Sequence, residues 1–243
     1  MPKTSVDIVI PVYNEEIALP ANLPVLYNYC KTNLTDYNFR IIIVDNASTD
    51  KTREAAQYFA NQSQIFYLRL EQKGRGLALI TAWSQSKADI VSYMDVDLSS
   101  NLDFFPSLLT ALKHGSDIAI GSRLVRGSRV SGRTLLREIM SRGLSFLIWI
   151  FFQTSFKDAQ CGFKALKRSV FQKLGPIIEN QNWFFDTELL VVAEKSGFKI
   201  KEIPIAWHDD PSSTVRIATT ATEDLQGLIR LWKTKPWEMN REQ

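Results

Sequence analysis

Short apolar runs rich in Ile and Val alternate with helical segments through the first half of this 243-residue chain. Turn-forming residues bound each run, which is typical of strands, and the intervening segments are long enough for helices. The predicted strands are Val6–Ile10, Phe39–Val44, Ile65–Leu70, Asp89–Met94 and Asp117–Ile120. The predicted helices are Leu23–Thr32, Asp50–Asn61, Gly76–Ser86 and Asp103–His114. This order predicts an α/β fold with a mainly parallel twisted sheet flanked by helices.

The second half of the chain is less regular. A long helix is predicted from Thr134 to Phe152, and a final amphipathic helix from Thr222 to Trp232. The final helix places four apolar residues on one face, namely Leu225, Leu228, Ile229 and Trp232. Between the two helices we predict a strand at 163–166, a helix at 186–195 and a strand at 199–203. The length of 243 residues and the hydrophobic content of 45% favour one domain over residues 1–243.

Composition excludes some classes of protein. The net charge of +3 is too small for a general nucleic-acid binder. Cys30 and Cys161 lie far apart without metal-ligand spacing, which is typical of reduced thiols in the cytoplasm. The N-terminal residues enter a strand directly, so we expect no leader peptide. The longest apolar run, Leu144–Phe152, is about half of what a membrane-spanning helix needs, so we expect none.

Two aspartates one residue apart, Asp95 and Asp97, follow the predicted strand that ends at Met94. A divalent cation between the two carboxylates relieves their repulsion, and Mg²⁺ or Mn²⁺ bound in this way often carries substrate phosphates. The alternative is a solvated turn, which the same pattern also fits. The aspartate pair indicates a metal-bridged phosphate substrate when other residues near the strand ends also suit a phosphate ligand.

Other strand ends carry polar clusters, and ligands of open α/β sheets bind at that edge. Asp45 could accept hydrogen bonds from a base or a ribose, or could only cap the next turn. Tyr13 could form an apolar wall of a base pocket, although no Gly-rich phosphate loop accompanies it. The turn Lys73–Gly76 is basic and precedes a helix, so it suits a phosphate or is simply a helix start.

The segment from Arg123 to Arg142 contains six arginines and one acidic residue, Glu138. Such an uneven distribution favours an anionic ligand, although any single arginine can equally be a solvated surface charge. Arg137 and Ser141 are four residues apart and therefore lie on one helix face.

Several motifs together resemble the family 2 glycosyltransferases, which are inverting enzymes of the Rossmann-like GT-A fold. They are Val9–Glu15, Ile43–Thr52, Lys73–Gly76 and Asp95–Asp97. Later motifs resemble the branch that acts on polyprenyl phosphates, such as dolichyl-phosphate mannosyl- and glucosyltransferases. These are Gly121–Arg123, Arg137–Arg142, Asp158–Lys164 and Trp183–Leu189. The resemblance extends from about Val6 to Trp232.

The resemblance implies a role for each matching position. The donor-binding residues would be Pro11, Tyr13, Asn14, Glu15, Asp45, Asn46, Asp95 and Val96. Asp95 and Asp97 would hold Mg²⁺ or Mn²⁺, and the catalytic residues would be Asp97, Arg123, Arg137 and Ser141. The acceptor phosphate would be bound by Arg123, Arg137, Ser141 and Arg216. Residues 5–125 would form a nucleotide-sugar half and 126–235 an acceptor half.

Two positions depart from the usual pattern of the family. Asn46 stands where an Asp is usual, and Ser99 stands where mannosyl-type relatives often carry a Gln that binds the metal. Ser99 is the weaker ligand and would act through water. The stretch Gln160–Lys164 favours UDP-glucose as the donor, although the rest of the chain fits GDP-mannose equally well.

The implied reaction transfers a hexose, with inversion, from UDP-glucose or GDP-mannose to a polyprenyl or dolichyl phosphate. A lipid monophosphate is largely dianionic at neutral pH, so it needs no strong general base. We expect most side chains of the run Leu144–Phe152 to be buried in the core, while another face of the run could lie at the membrane surface. The protein would be cytoplasmic and peripheral on the cytoplasmic face of a membrane, with a membrane protein as a candidate partner.

Three alternatives stay open at this point. A sugar nucleotidyltransferase would need a Gly-rich signature after the first strand, which is absent. A transferase that acts on a sugar or protein hydroxyl would need a base such as Asp186, whereas we interpret Asp186 and Glu188 as residues that shape the site. A protein that binds a nucleotide sugar without turnover would not need both the aspartate pair and the arginines.

Overall fold

The computed structural model describes residues 3–209 and 217–241, the side chains of 217–220 and 239–241 excepted. The strands in these ranges are β1 (Thr4–Val12), β2 (Tyr37–Asn46), β3 (Ile65–Leu70), β4 (Ile90–Met94), β5 (Ile118–Ser122), β6 (Arg129–Ser131), β7 (Phe163–Lys167), β8 (Ile200–Pro204) and β9 (Ala206–His208). The α-helices are α1 (Ala18–Asn33), α2 (Thr52–Ala60), α3 (Arg75–Gln85), α4 (Phe105–Lys113), α5 (Leu135–Phe152), α6 (Arg168–Leu174), α7 (Phe185–Lys195) and α8 (Ile217–Thr234).

Seven strands form one sheet in the order β3-β2-β1-β4-β7-β5-β8. All neighbours are parallel except that β7 runs antiparallel to both β4 and β5. The predicted mainly parallel α/β sheet is therefore confirmed, together with each of its seven predicted strands. A second, two-stranded sheet pairs β6 with β9, and the sequence did not predict it. Helix α6 was also missed.

Strand β1 lies in the middle of the core, because helices cover both faces of the sheet. Its residues Val6, Ile8 and Ile10 contribute to one apolar cluster, which also contains residues of α1, α2 and α4. Val9 points to the opposite face, where residues of α3, α6, α7 and α8 form a second cluster. The chain runs from β1 to β2 and β3 on one side and then crosses from β3 to β4 on the other side of β1, so a crevice opens at the carboxyl ends of β2, β1 and β4.

Helix α5 is far more exposed than a core helix. Within it only Ile148 and Phe152 are buried, whereas Phe146 and Trp149 are more than half exposed at 57% and 52%. The expectation that most side chains of the Leu144–Phe152 run are buried is therefore wrong. The run is apolar all round, so its periodicity could not show which face meets the sheet.

Helix α8 confirms the predicted C-terminal helix but divides its apolar residues between two sides. Leu228 and Leu231 are buried in the core, whereas Leu225, Ile229 and Trp232 are exposed. The single apolar face that the sequence predicted is thus split, because Leu228 turns toward the sheet. Across residues 3–209 and 217–241, no helix combines the length and the apolar character needed to cross a bilayer.

Candidate active site at the carboxyl ends of the strands

The loops that follow β1 and β2 are joined by hydrogen bonds. Asn14 has a left-handed backbone with φ 56°, which Asn tolerates better than most residues, and its N–H donates to Ser48 Oγ at 3.0 Å. Asn14 Oδ1 in turn accepts from the Thr49 N–H at 2.9 Å. Glu15 N–H donates to Thr52 Oγ1 at 2.7 Å. Two predicted donor-binding residues, Asn14 and Glu15, are thereby fixed at the edge of the sheet where β2 ends.

Asp45 lies at the same edge, and its carboxylate is fully buried. Its Oδ2 accepts from Tyr67 Oη at 2.9 Å and from Arg69 Nη1 at 2.7 Å, while Oδ1 accepts from Ser48 N–H at 2.8 Å. Burial raises the pKa of Asp45, but the hydrogen bonds from Ser48 and Tyr67 and the charge of Arg69 outweigh it, so the pKa lies below its usual value. A base or ribose would therefore meet an ionised carboxylate that already has partners.

Asn46 connects the end of β2 to the basic turn before α3. Its Oδ1 accepts from the Gly74 N–H at 2.7 Å, so the amide retains the acceptor that an Asp would supply. Lys73 Nζ lies 3.4 Å from the centroid of the Tyr13 ring, in a cation–π contact. Pro11 is paired with Val44 inside the sheet. The basic turn and the predicted donor-binding residues therefore share one surface.

The loop after β4 presents Asp95 and Asp97. Asp95 N–H donates to the Gly162 carbonyl at 3.3 Å, and a Cβ on residue 162 would fall 1.8 Å from Asp95 Oδ2. Only glycine fits there without moving the carboxylate. Asp97 Oδ1 accepts from the Ser99 N–H at 2.9 Å, so Ser99 supports the loop through its backbone. Burial raises the pKa of Asp95, the charge of Arg75 opposes this, and the charge of Asp97 adds to it.

The donor set suits a hard divalent cation that brings phosphate oxygens with it. Asp95 and Asp97 supply carboxylate oxygens, the ligands that Mg²⁺ and Mn²⁺ prefer. The described residues contain no group of three or more metal-ligating side chains, so phosphates and water would complete the shell. Val96 between the aspartates is 7% exposed, and its carbonyl accepts from Asn22 Nδ2 at 3.0 Å. Its side chain belongs to the core, which leaves little of Val96 for donor contact.

Arg75 occupies the centre of this edge. Its Nη2 lies 2.8 Å from Asp95 Oδ1, and its Nε lies 3.7 Å from Asp186 Oδ2. The guanidinium carbon is 4.8 Å from the centroid of the Trp183 ring and 5.4 Å from that of Tyr93. Sequence reasoning assigned the turn to a phosphate but missed this ion pair. No local signal connected Arg75 to Asp95, because the two are joined only by the fold.

A buried lysine lies behind the arginine. Lys164 is completely buried, and its Nζ donates to Asp186 Oδ1 at 2.6 Å, to the Cys161 carbonyl at 2.8 Å and to Tyr93 Oη at 3.0 Å. Tyr93 Oη donates to the same Asp186 oxygen. A charged residue within the apolar strand β7 was the signal that could have indicated this network.

Glu188 has a different role from Asp186. Its carboxylate accepts from the N–H groups of Glu179 and Asn180 at 3.1 and 2.9 Å, and it pairs with Arg230 Nη2 at 2.7 Å. Glu188 thus joins α7 to α8 and to the segment before α7, away from the aspartate loop. Both acidic residues are engaged in contacts within the protein.

The predicted acceptor residue Arg123 is tightly paired. Its backbone N–H, Nε and Nη2 each lie 2.8 Å from the Asp158 carboxylate, and its guanidinium lies 4.9 Å from the Trp207 ring. Burial lowers the pKa of Arg123, but the Asp158 charge and hydrogen bonds raise it above its usual value. The Asp158 carboxylate occupies the two guanidinium N–H groups of Arg123 that a phosphate would otherwise use. Arg216, another predicted acceptor residue, lies outside the described residues.

The start of α5 carries the remaining predicted acceptor residues. Arg137 and Ser141 lie on one face of α5 and are both half-buried, as their spacing predicted. Arg137 Nη1 is 3.8 Å from Asp209 Oδ1. Arg133, which sequence reasoning did not single out, lies 3.6 Å from Asp209 Oδ2 and 3.1 Å from Glu138 Oε2. These arginines form a basic cluster that Asp209 only partly neutralises.

A cavity of about 350 Å³ lies between the aspartate loop and the small β6–β9 sheet. Its lining includes Ser99 and Asn101 on one side and Ser131, Trp207 and His208 on the other. His208 N–H donates to the Ser99 carbonyl at 2.9 Å, which fixes the small sheet against the loop. The cavity therefore connects the side of Asp97 with the segment that leads into the basic cluster.

The sequence model described as Glycosyl transferase family 2 matches residues 7–175. The chain belongs to this family. It is accordingly a glycosyltransferase, and the resemblance that the motifs indicated is confirmed.

Among curated relatives of this glycosyltransferase, the dolichyl-phosphate beta-glucosyltransferase ALG5A of Trichomonas vaginalis is 31% identical over 87% of this chain and 68% of its own length. The dolichol-phosphate mannosyltransferase of Pyrococcus furiosus is 31% identical over 96% of this chain and 64% of its own. Glycosyltransferase AglD of Haloferax volcanii is 30% identical over 93% of this chain. The chain spans only 37% of the length of AglD.

Solved structures agree with the fold. Glucosyl-3-phosphoglycerate synthase from Mycobacterium tuberculosis in complex with UDP superimposes with a TM-score of 0.69, covering 96% of this chain and 80% of that one at 18% identity. The same synthase with Mn²⁺, UDP-glucose and phosphoglyceric acid gives a TM-score of 0.68 at 17% identity, covering 97% and 80% of the two chains. These likenesses confirm the predicted GT-A fold.

Proposed function

We propose that this glycosyltransferase moves a hexose from a nucleotide sugar to the phosphate of a polyprenyl or dolichyl lipid, with inversion. The observation that carries the proposal is the basic cluster of Arg133 and Arg137, with Ser141 beside it, at the start of α5, a helix whose outer surface is apolar. A cationic site at the end of an apolar surface suits a lipid with a charged head. Relatives named as dolichyl-phosphate glucosyl- and dolichol-phosphate mannosyltransferases support this acceptor.

In the proposed reaction, a lipid phosphate oxygen forms a bond to the anomeric carbon as the bond to the nucleoside diphosphate breaks. The leaving diphosphate takes the electron pair, and inversion follows from attack on the opposite face. The phosphate of the acceptor has a second pKa of about 6, so it is mostly a dianion at neutral pH and needs no general base. Asp186 is consistent with this chemistry, because Lys164 and Tyr93 already occupy one of its oxygens.

The chain's own residues would position two anionic reactants that repel each other. Arg137 and Ser141 would orient the acceptor phosphate, while Arg123 with Asp158 would shape that side of the site. Arg75 would contact the donor diphosphate, since it lies beside Asp95. Such fixed charges lower a barrier by stabilisation and orientation rather than by proton transfer.

Donor and cation follow from the other half of the site. The nucleoside would contact the loops that carry Pro11, Tyr13, Asn14, Glu15, Asp45 and Asn46. Mg²⁺ or Mn²⁺, held by Asp95 and Asp97 together with the diphosphate, would supply positive charge for the leaving group. UDP-glucose is the donor we favour, because Gln160–Lys164 matches the glucosyltransferase pattern and several relatives are named as glucosyltransferases. GDP-mannose is the competing donor.

We place the protein peripherally on the cytoplasmic face of a membrane. Trp149 and Ile150 on α5 and Trp232 on α8 are exposed apolar side chains suited to the lipid interface. A membrane protein that contacts these side chains is a further proposed partner. Co-sedimentation with anionic vesicles tests the placement. Replacement of Trp149 and Ile150 by serine is expected to reduce it, and unchanged vesicle binding would contradict it.

A transfer assay tests the function itself. Purified protein is offered UDP-glucose or GDP-mannose together with a polyprenyl phosphate, with and without Mn²⁺. We expect a lipid-phosphate glycoside with only one of the donors. An acceptor with a hydroxyl in place of the phosphate should give no product, whereas transfer to that alcohol would favour the hydroxyl-directed alternative. Metal-dependent donor binding without transfer to any acceptor would favour a protein that binds the donor without turnover.

A further inference from the structure

Arg133 is the least satisfied cation of the basic cluster. Only 9% of its side chain is exposed, yet its Nε and Nη1 have no hydrogen-bond partner among the described residues. Its nearest carboxylate oxygens, at 3.1 Å on Glu138 and 3.6 Å on Asp209, lie within ion-pair distance but without hydrogen-bond geometry. A buried N–H group without an acceptor is costly and rare, which indicates that a group absent from the structure accepts from it.

Two other arginines of the segment, Arg123 and Arg142, differ from Arg133. Arg123 makes three hydrogen bonds to Asp158, and Arg142 is 64% exposed in its side chain. Burial and the nearby charge of Arg123 lower the pKa of Arg133, and the opposing charges of Asp209 and Glu138 do not outweigh them. Arg133 is thus a cation whose positive charge is poorly compensated within the protein. Such a group attracts an anion more strongly than a paired arginine does.

The position of Arg133 connects it to the reacting centre. It follows Gly132, whose φ of +73° turns the chain from β6 into α5. Strand β6 pairs with β9, and β9 is bonded to the backbone of Ser99, two residues after Asp97. Asp209 Oδ2, which faces Arg133, also has no hydrogen-bond partner among the described residues. Two buried groups of opposite charge therefore lie near each other without bonding.

We propose that Arg133 supplies the main free N–H donors to the phosphate of the lipid acceptor, and that Asp209 occupies this position loosely until the phosphate arrives. The inference rests on the proposed function and adds to it a phosphate-binding residue. One oxygen of a phosphate monoester bound here can accept from Arg133 while another faces Arg137, which lies four residues further along the chain in the first turn of α5. The dianion replaces the single charge of Asp209 as the partner of both guanidinium groups.

The test replaces Arg133→Gln and, as a matched control, Arg126→Gln in the exposed turn of the same segment. Farnesyl phosphate, a water-soluble prenyl monophosphate, is titrated calorimetrically at fixed ionic strength, and UDP is titrated separately. Arg133→Gln is expected to weaken farnesyl phosphate binding and to raise the acceptor KM, each by about tenfold or more. UDP affinity should stay unchanged, and Arg126→Gln should behave as wild type.

The outcomes separate this inference from the function on which it rests. If the wild type transfers sugar to polyprenyl phosphate and Arg133→Gln keeps the wild-type acceptor KM, the role of Arg133 is overturned while the proposed function stands. If the wild type neither binds farnesyl phosphate nor glycosylates any lipid phosphate, both are overturned.

A second variant covers the case in which Arg133→Gln does not fold. Asp209→Asn keeps an oxygen to accept from Trp207 Nε1, which lies 3.0 Å from Asp209 Oδ1, but removes the charge that holds Arg133. It should lower the acceptor KM, by about threefold. An unchanged or higher acceptor KM would contradict the proposal.

Discussion

Arg75 Nη2 lies 2.8 Å from Asp95 Oδ1, so a guanidinium compensates the carboxylate that the sequence predicted to bind a metal. Trp183 and Asp186 hold Arg75 in this position from other sides. The positive charge of Arg75 reduces the repulsion between the carboxylates of Asp95 and Asp97. A cation that binds at Asp95 must therefore share the carboxylate with Arg75 or displace it.

Replacement of Arg75 by Gln should tighten Mn²⁺ binding in the absence of nucleotide, by about tenfold, because the carboxylates lose their positive neighbour. Electron paramagnetic resonance of free Mn²⁺ measures this directly. Lys73→Gln is the control, since Lys73 contacts Tyr13 rather than the aspartates, and it should leave Mn²⁺ affinity unchanged. Weaker or equal Mn²⁺ binding by the Arg75 variant would show that the ion pair does not compete with the metal.

Replacement of Gly162 by Ala should displace Asp95, because the new Cβ would fall 1.8 Å from Asp95 Oδ2. We expect Mn²⁺ affinity and transfer to fall more than about tenfold while the protein still folds. Gly143→Ala is the matched control, since nothing lies within 4 Å of a Cβ there. Helix propensity predicts that the control is more stable by about 1 kcal/mol. Full activity of the Gly162 variant would mean that Asp95 is free to move.

Replacement of Asp186 by Asn should destabilise the protein by about 3–5 kcal/mol, because it leaves the buried Lys164 without a counter-charge. Additional replacement of Lys164 by Met should restore much of that loss. Urea unfolding measures both variants. The folded fraction of the Asp186 variant should lose less than about a hundredfold in transfer, since a general base contributes at least that much. A larger loss without destabilisation would identify Asp186 as a catalytic base.

Asp224 on α8 should make stability depend on pH. Burial raises its pKa to about 6, while Gln160 Nε2 donates to its two oxygens at 3.1 and 3.0 Å. The folded state then binds a proton that the unfolded state has lost, so the stability from this group is present below pH 4 and falls as pH rises to about 6. Relative to Asp224→Asn, the wild type should lose about 3 kcal/mol over this range. If the stabilities of the two proteins changed with pH in parallel, the raised pKa of Asp224 would be contradicted.

The sequence predicted the strands of the large sheet and the polar strand ends, because these depend on local apolar runs and on where the runs stop. Asp95 follows β4 as expected, and Asn14 and Asp45 meet at one edge because parallel strands end together. Strands β6 and β9 were missed, since each has three residues and their pairing joins positions far apart in the chain.

The ion pairs of the site could not be predicted from the sequence. Arg75 and Arg123 were interpreted as phosphate-binding or acceptor-binding residues, yet each has a carboxylate partner brought to it by the fold. Spacing along the chain says which side chains share a helix face, but not which acid from another element will meet them. The exposure of α5 was hidden for a related reason, because a helix that is apolar all round has no periodic signal to orient it.

Transfer of radiolabelled hexose from UDP-glucose to a polyprenyl phosphate by the purified protein with Mn²⁺, followed by extraction of the lipid product, tests the proposed reaction most directly. We predict an inverted lipid-phosphate glycoside whose formation stops with chelator and with Asp97→Asn. Transfer that survives chelation or loss of Asp97, or transfer to a polyprenol without its phosphate, would contradict the proposed metal-assisted transfer to a lipid phosphate.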